Sequence, residues 1–183
     1  MRNLILLALT FSLFSCNGRE KDQKDTTEEE VNEASIMPNK TVMMDLMQYG
    51  FEVNLPVPDT TNKVIKIAPN PNGTINVSVG VNYGVTVGYD GDLLMFKEDL
   101  KIMNDAFDYE IIDEKDDFLV YTTTLKDGSK KFFHFYGVKE VGGAFFEFFD
   151  LVGEEHFSEK SIRRMVDFCK NAEPSPSSSG AAS

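Results

Sequence analysis

The chain has 183 residues, with 30 acidic against 18 basic side chains, a net charge of −12 and only two cysteines. A surface this acidic repels the phosphate backbone of nucleic acid and offers no basic patch for docking on anionic lipid. Two cysteines 153 positions apart, Cys16 and Cys169, give no zinc spacing and no disulfide framework.

The first element is at the amino terminus. Residues 1–15, MRNLILLALTFSLFS, carry one cation, Arg2, followed by an apolar run of eleven residues at 4–14. That run is too short to cross a bilayer, which takes roughly 20 apolar residues, and has the length of a signal-peptide core. It ends in Leu-Phe-Ser-Cys at 13–16. This resembles the lipobox of bacterial lipoproteins, in which a small residue admits the peptidase and the cysteine thiol takes a diacylglycerol. The resemblance implies cleavage before Cys16 and palmitate-class acyl chains on it, and two or more such chains make a durable anchor. With Cys16 so consumed, Cys169 has no partner within the mature chain.

Residues 16–35 follow as an acidic tether. Positions 17–35 hold seven acidic and three basic residues, one aliphatic Val31 and no aromatic side chain. Such a segment cannot bury enough apolar surface to offset its ordering entropy. As a coil its ends would sit roughly 25 Å apart. Charge directly after the lipidated cysteine also resembles the sorting signals of Bacteroidota surface lipoproteins.

A single domain is expected over 36–172. Residues 41–49 predict a short helix from the spacing of Val42, Met43, Leu46 and Met47, stopped by Gly50. Phe51, Val53 and Leu55 alternate with polar residues and predict a strand closed by Pro56 and Pro58. Residues 63–68 predict a second strand, and Asn72-Gly73 a turn. Two further strands follow at 74–89, bent at Gly80, Gly84 and Gly88. Residues 92–106 predict the clearest helix, with Leu93, Phe96, Leu100, Met103 and Phe107 on one face and Asp90 or Asp92 as its cap. Four strands come next, with turns at Asp127-Gly128 and Gly142-Gly143. A last helix at 158–171 starts at Ser158 and buries Ile162, Met165, Val166 and Cys169. Residues 173–183, rich in proline, serine and glycine, predict a flexible tail.

The aromatic strands set the expected architecture. In AFFEFFD, Phe145 and Phe149 point to one face and Phe146 and Phe148 to the other. Apolar residues on both faces predict that both are covered. The fold class expected is α+β, a mostly antiparallel sheet covered by helices on both faces, an α/β/α sandwich. The stretch FHFYGVKEVGGAFFEFFDLVGEEHFSEKSIRRMVDFCKNA resembles the second half of PsbP-like and DcrB-like domains, and YGFEVNLPVP their opening segment. Small Bacteroidota lipoproteins carry similar strings. The resemblance spans residues 41–171 and implies the same sandwich with a non-enzymatic accessory or binding role.

Chemistry-bearing residues are few. His134 lies between two phenylalanines in a strand, where it is expected to be a half-buried side chain with one hydrogen bond. His156 stands in GEEHFSE. No helix-borne metal motif, calcium loop, nucleophile elbow or phosphate loop occurs, so no metal and no cofactor are expected. The acidic turn at 113–117 reads as a solvated hairpin tip. Cys169 reads as an inert packing residue. His134, Tyr136 and Glu147 are the candidate contact residues for a ligand or partner. Glu147 reaches His134 across the hairpin only if the strand register allows it.

The leading expectation is a non-enzymatic, lipid-anchored envelope protein binding a protein partner. It would sit on the outer membrane and face the periplasm or the cell surface. The alternatives are a carrier of a small apolar ligand in an aromatic-lined cavity, and a hydrolase built on His134 and Glu147.

Overall fold

Period-two runs of valine and phenylalanine organise most of the fold. The computed structural model describes residues 41–102, 107–151, 153 and 156–176. In chain order the elements are β1 (Thr41–Asp45), β2 (Val53–Pro58), β3 (Ile65–Pro69), β4 (Ile75–Val79) and β5 (Gly84–Tyr89), then α1 (Leu93–Ile102). After them come β6 (Phe107–Lys115), β7 (Phe118–Leu125), β8 (Lys131–Val141), β9 (Ala144–Asp150), α2 (Glu159–Lys170) and β10 (Glu173–Pro174). The expected signal peptide, Cys16, the tether and the end of the tail from 177 lie outside the described residues, as does Met103.

Seven strands form one sheet in the order β3-β4-β5-β9-β8-β7-β6, antiparallel at every step. A second sheet pairs β1 and β10 on either side of β2. Ile75, Val77, Val85, Val87, Phe135, Phe146 and Phe148 supply one fully buried face. Val53, Leu55 and Val57 of β2 pack against it with Ile162, Met165, Phe168 and Cys169 of α2. The apolar stripe of α2 is thus held between the large sheet and the small one, and Ser158 caps it by accepting the Ser161 N–H at 3.2 Å.

The expected α/β/α sandwich is wrong. About half of the described structure is strand and one-fifth helix, with two α-helices and a second, three-stranded sheet. The physical reason lies in how the two faces are covered. The core face is closed partly by β2, a strand, where a helix was expected. On the opposite face the ten-residue α1 lies over β7 and β8 through Phe96, and Phe145 remains 53% exposed. Aromatic side chains on both faces therefore marked half-covered surface as well as core.

The first predicted helix is also corrected. Residues 41–45 form β1, paired from Thr41 opposite Pro58 to Asp45 opposite Asn54, and only Met47–Tyr49 turn, as a 3-10 segment. Its stop at Gly50, with φ +89°, is as read. Of the two prolines expected to close β2, Pro58 is its last residue and Pro56 lies inside it. They share one side of the strand, and the Pro56 carbonyl points away from β1 to accept the Tyr83 hydroxyl at 3.3 Å. Their missing N–H groups therefore cost no bond to β1. Glu173 and Pro174, the first residues of the segment read as a tail, pair with Asn54 and Val53, and Ser175 is fully buried with its hydroxyl on the Asp45 carboxylate.

Candidate functional site

The β8–β9 hairpin positions all three candidate residues. Its two-residue turn at Gly142-Gly143 sets Val141 opposite Ala144, hence Val138 opposite Glu147 and Tyr136 opposite Phe149. Tyr136 and Glu147 are therefore diagonal neighbours on one face, and the Tyr136 hydroxyl donates to Glu147 Oε2 at 2.9 Å. Gly88, on the strand beside it, and Gly91 leave room for this carboxylate, since a methyl group at either position would overlap Glu147. Phe96 of α1 stacks on Tyr136 with ring centroids 4.0 Å apart and planes at 4°. Burial, and next the Glu147 carboxylate, push the Tyr136 phenol well above its usual range.

The same register separates His134 from Glu147. His134 meets Asp150, whose Oδ2 lies 2.8 Å from Nδ1, while Nε2 lies 3.0 Å from the Thr123 hydroxyl. Asp150 is 5% exposed and its other oxygen accepts the Phe135 N–H at 2.9 Å. With the ring neutral, Nδ1–H donates to the carboxylate and Nε2 accepts from Thr123. Tyr121 stacks on the imidazole at 5.2 Å, and burial, then the Asp150 charge, raises its phenol above the usual range. The candidate residues thus form two separate polar pairs beneath aromatic rings.

The sequence of hydroxyl, imidazole and carboxylate is that of a hydrolytic triad. Its setting differs from one. Thr123 lies in β7, flanked by Tyr109 of β6 and Phe132 of β8, so the backbone N–H groups around it serve the ladders on both sides. A catalytic hydroxyl needs neighbouring N–H groups aimed at a developing oxyanion. What the arrangement does physically is pin β7, β8 and β9 together through a satisfied, half-buried polar chain.

The remaining candidates resolve as packing or ion pairs. Asp113 accepts from Arg163 at 2.9 Å and Asp116 from Lys170 at 3.2 Å, so the acidic turn is tied to α2. His156 packs on Phe132 with centroids 4.4 Å apart. Cys169 is fully buried, and desolvation raises its thiol above the usual range. No group of three His, Cys, Asp or Glu side chains among the described residues could hold a metal ion. Thr123 was missed as a site residue because its threonine run reads as ordinary strand. Asp150 was visible, but its pairing with His134 required the register.

Compared with protein-family models, with curated proteins and with solved structures, the chain finds no match. The feature that departs most from a closed surface is α1. Phe96 and Leu100 face inward, and Leu100 is 4% exposed. On the opposite side Leu94, Met95 and Ile102 fall within one arc of the helix and are 74%, 64% and 77% exposed. Asp92 caps this helix, accepting the N–H groups of Leu94 and Met95 at 2.8 and 3.0 Å.

Proposed function

We propose that this chain is a lipid-anchored protein of a bacterial cell envelope whose domain binds a protein partner without catalysing a reaction. The observation that carries the binding role is the outer face of α1. Besides the apolar side that this ten-residue helix lays on its own sheet, its outer arc exposes Leu94, Met95 and Ile102 around Glu98. Glu98 and Asp99 lie beside Leu94, Met95 and Ile102, so an anionic membrane surface is a poor occupant and an apolar, polar-rimmed protein surface a good one. The lipobox-like residues 13–16 and the charged segment after them support the address. They point to an acylated Cys16, an outer-membrane anchor and a domain held clear of the headgroups, facing the periplasm or the cell surface.

The test is site-directed photo-cross-linking in intact cells that make the protein. A photoreactive residue at Met95 should give one discrete adduct, absent when the probe is placed at Lys126 in the β7–β8 turn. The adduct should vanish on Ile102→Glu, a change at an exposed position that leaves the fold intact. Identical adduct patterns from the two probe sites would refute the docking face. For the anchor, Cys16→Ala should move the protein from the detergent phase to the aqueous phase on phase partitioning. Unchanged partitioning would refute it.

A further inference from the structure

A cleft of about 620 Å³ opens between the segment leading into β3, the β4–β5 turn and the first turns of α2. Its size falls within the roughly 300–1,000 Å³ of small-molecule sites. The composition of its walls runs against that of the chain. With 30 acidic residues in the protein against 18 basic, the described lining carries Lys63, Lys66 and Arg164 and no carboxylate. None of these three cations has an ion-pair partner among the described residues, whereas the adjacent Arg163 is held by Glu159 and Asp113, each at 2.9 Å. Arg164 is instead braced over the Phe168 ring, 5.4 Å from its centroid. The Lys63 stem lies beside Gly80, whose N–H donates to the Val64 carbonyl at 2.9 Å, so the lysine is seated against the β4–β5 turn.

The other walls mix the uncharged polar side chains of Asn62, Ser78, Asn82 and Ser161 with apolar ones. Val64 and Val81 stand at the rim, 67% and 72% exposed, and Tyr83 is buried at the base. Three cations without an ion-pair partner among the described residues, beside exposed valines, match a ligand with an acidic head on a short apolar stem. Guanidinium forks take phosphate or carboxylate oxygens in pairs, and ammonium groups add charge without demanding one geometry. We propose that this cleft is a binding site for a small anionic amphiphile, bearing one phosphate or carboxylate group. It stands apart from the outer face of α1 and does not depend on what docks there.

Calorimetric titration of the full chain tests it, with hexyl phosphate, heptanoate, inorganic phosphate and neutral hexyl glucoside as probes. Hexyl phosphate or heptanoate should bind at least about tenfold more tightly than either control, the margin of one charge-assisted contact or a few buried methylenes. Added salt should weaken that binding. Lys63→Gln with Arg164→Gln should weaken it by about tenfold or more, while Lys126→Gln with Lys130→Gln, in the β7–β8 turn, should leave it unchanged. Val81→Asp, an exposed change that places a carboxylate at the rim, should weaken it as well. Equal binding of hexyl glucoside would overturn the reading of charge, and equal binding of inorganic phosphate the reading of the stem. No binding of either amphiphile, or binding indifferent to Lys63 and Arg164, would overturn the site itself.

Discussion

At the scale of single residues, the fold depends on what is missing from Gly137. This glycine in β8 lies opposite Phe118 of β7 and Phe148 of β9, and the Phe118 ring lies over its Cα. A methyl group there would fall inside that ring's van der Waals envelope. Gly137→Ala is therefore expected to cost about 1–3 kcal/mol through overpacking, read as a lowered urea midpoint. Phe118→Ala alone should cost about 3–5 kcal/mol as a cavity. The double variant should cost clearly less than the two singles together, because the cavity accepts the new methyl. Strict additivity would show that the two residues do not touch in solution. Site legibility is a matter of the same hairpin. The Gly142-Gly143 turn was read, and counting outward from it places Glu147 beside Val138 and separates it from His134. The sequence contained that register. The hydroxyl partner of His134 was out of reach because Thr123 comes from a third strand, whose own register no turn in the β8–β9 hairpin sets.

At the scale of elements, α2 shows how a helix end is finished by another element. Lys139 of β8 donates from Nζ to the carbonyls of Lys170 and Ala172 at 2.6 and 2.7 Å. The Lys170 carbonyl is one that a helix terminus leaves without an intrahelical donor, and the Ala172 carbonyl lies just past the C-cap Asn171. Desolvation holds the Lys139 ammonium below its usual range, and the two carbonyls are what it gains in exchange. Lys139→Met should keep the apolar stem of the side chain, strand both acceptors and cost about 1–3 kcal/mol. Hydrogen exchange should show the loss concentrated in the last turn of α2 and at Glu173 beyond it. Protection lost evenly across the whole chain would contradict this. Most elements were legible, and the failures have physical causes. β9 and the helix after Ser158 carry clean periodicity, because each buries one face. Residues 41–49 do not. Val42 and Met43 are 42% and 40% exposed, so their apolar character records no buried helical face. What makes this segment a strand is β2 beside it, a contact made through the backbone. β10 escaped for the same reason, since two residues fixed by pairing to Asn54 and Val53 leave no pattern in a serine- and proline-rich stretch.

At the scale of the molecule, buried phenols and a thiol couple stability to alkaline pH. Tyr83, Tyr121 and Tyr136 are three of the six tyrosines, and burial raises each above the ordinary 10.0. Cys169 is likewise raised above 9.0 by burial. In the unfolded chain these groups lose their protons near those ordinary values, whereas the folded protein keeps them. Above about pH 9 the native state thus binds more protons than the unfolded state, and stability falls as pH rises. Below that the contribution is fully present. Lys139 acts in the opposite sense, because its folded value lies below 10.5 and stability gains as pH climbs through that narrow interval. Four buried groups raised against one lowered set the net direction, and the exposed Lys101, raised by its bond to Glu98, acts in the same sense. A chain of net charge −12 adds self-repulsion as its remaining cations neutralise. The two causes separate by ionic strength, since molar salt screens repulsion between surface charges but leaves a buried phenol buried. The urea midpoint should therefore be flat from about pH 7 to 9 and drop beyond pH 10. In molar salt most of that drop should persist, and it should shrink in Tyr121→Phe, which keeps the ring on His134 and removes the ionisable group. A drop abolished by salt, or untouched by that substitution, would mean that surface charge alone governs the alkaline limit.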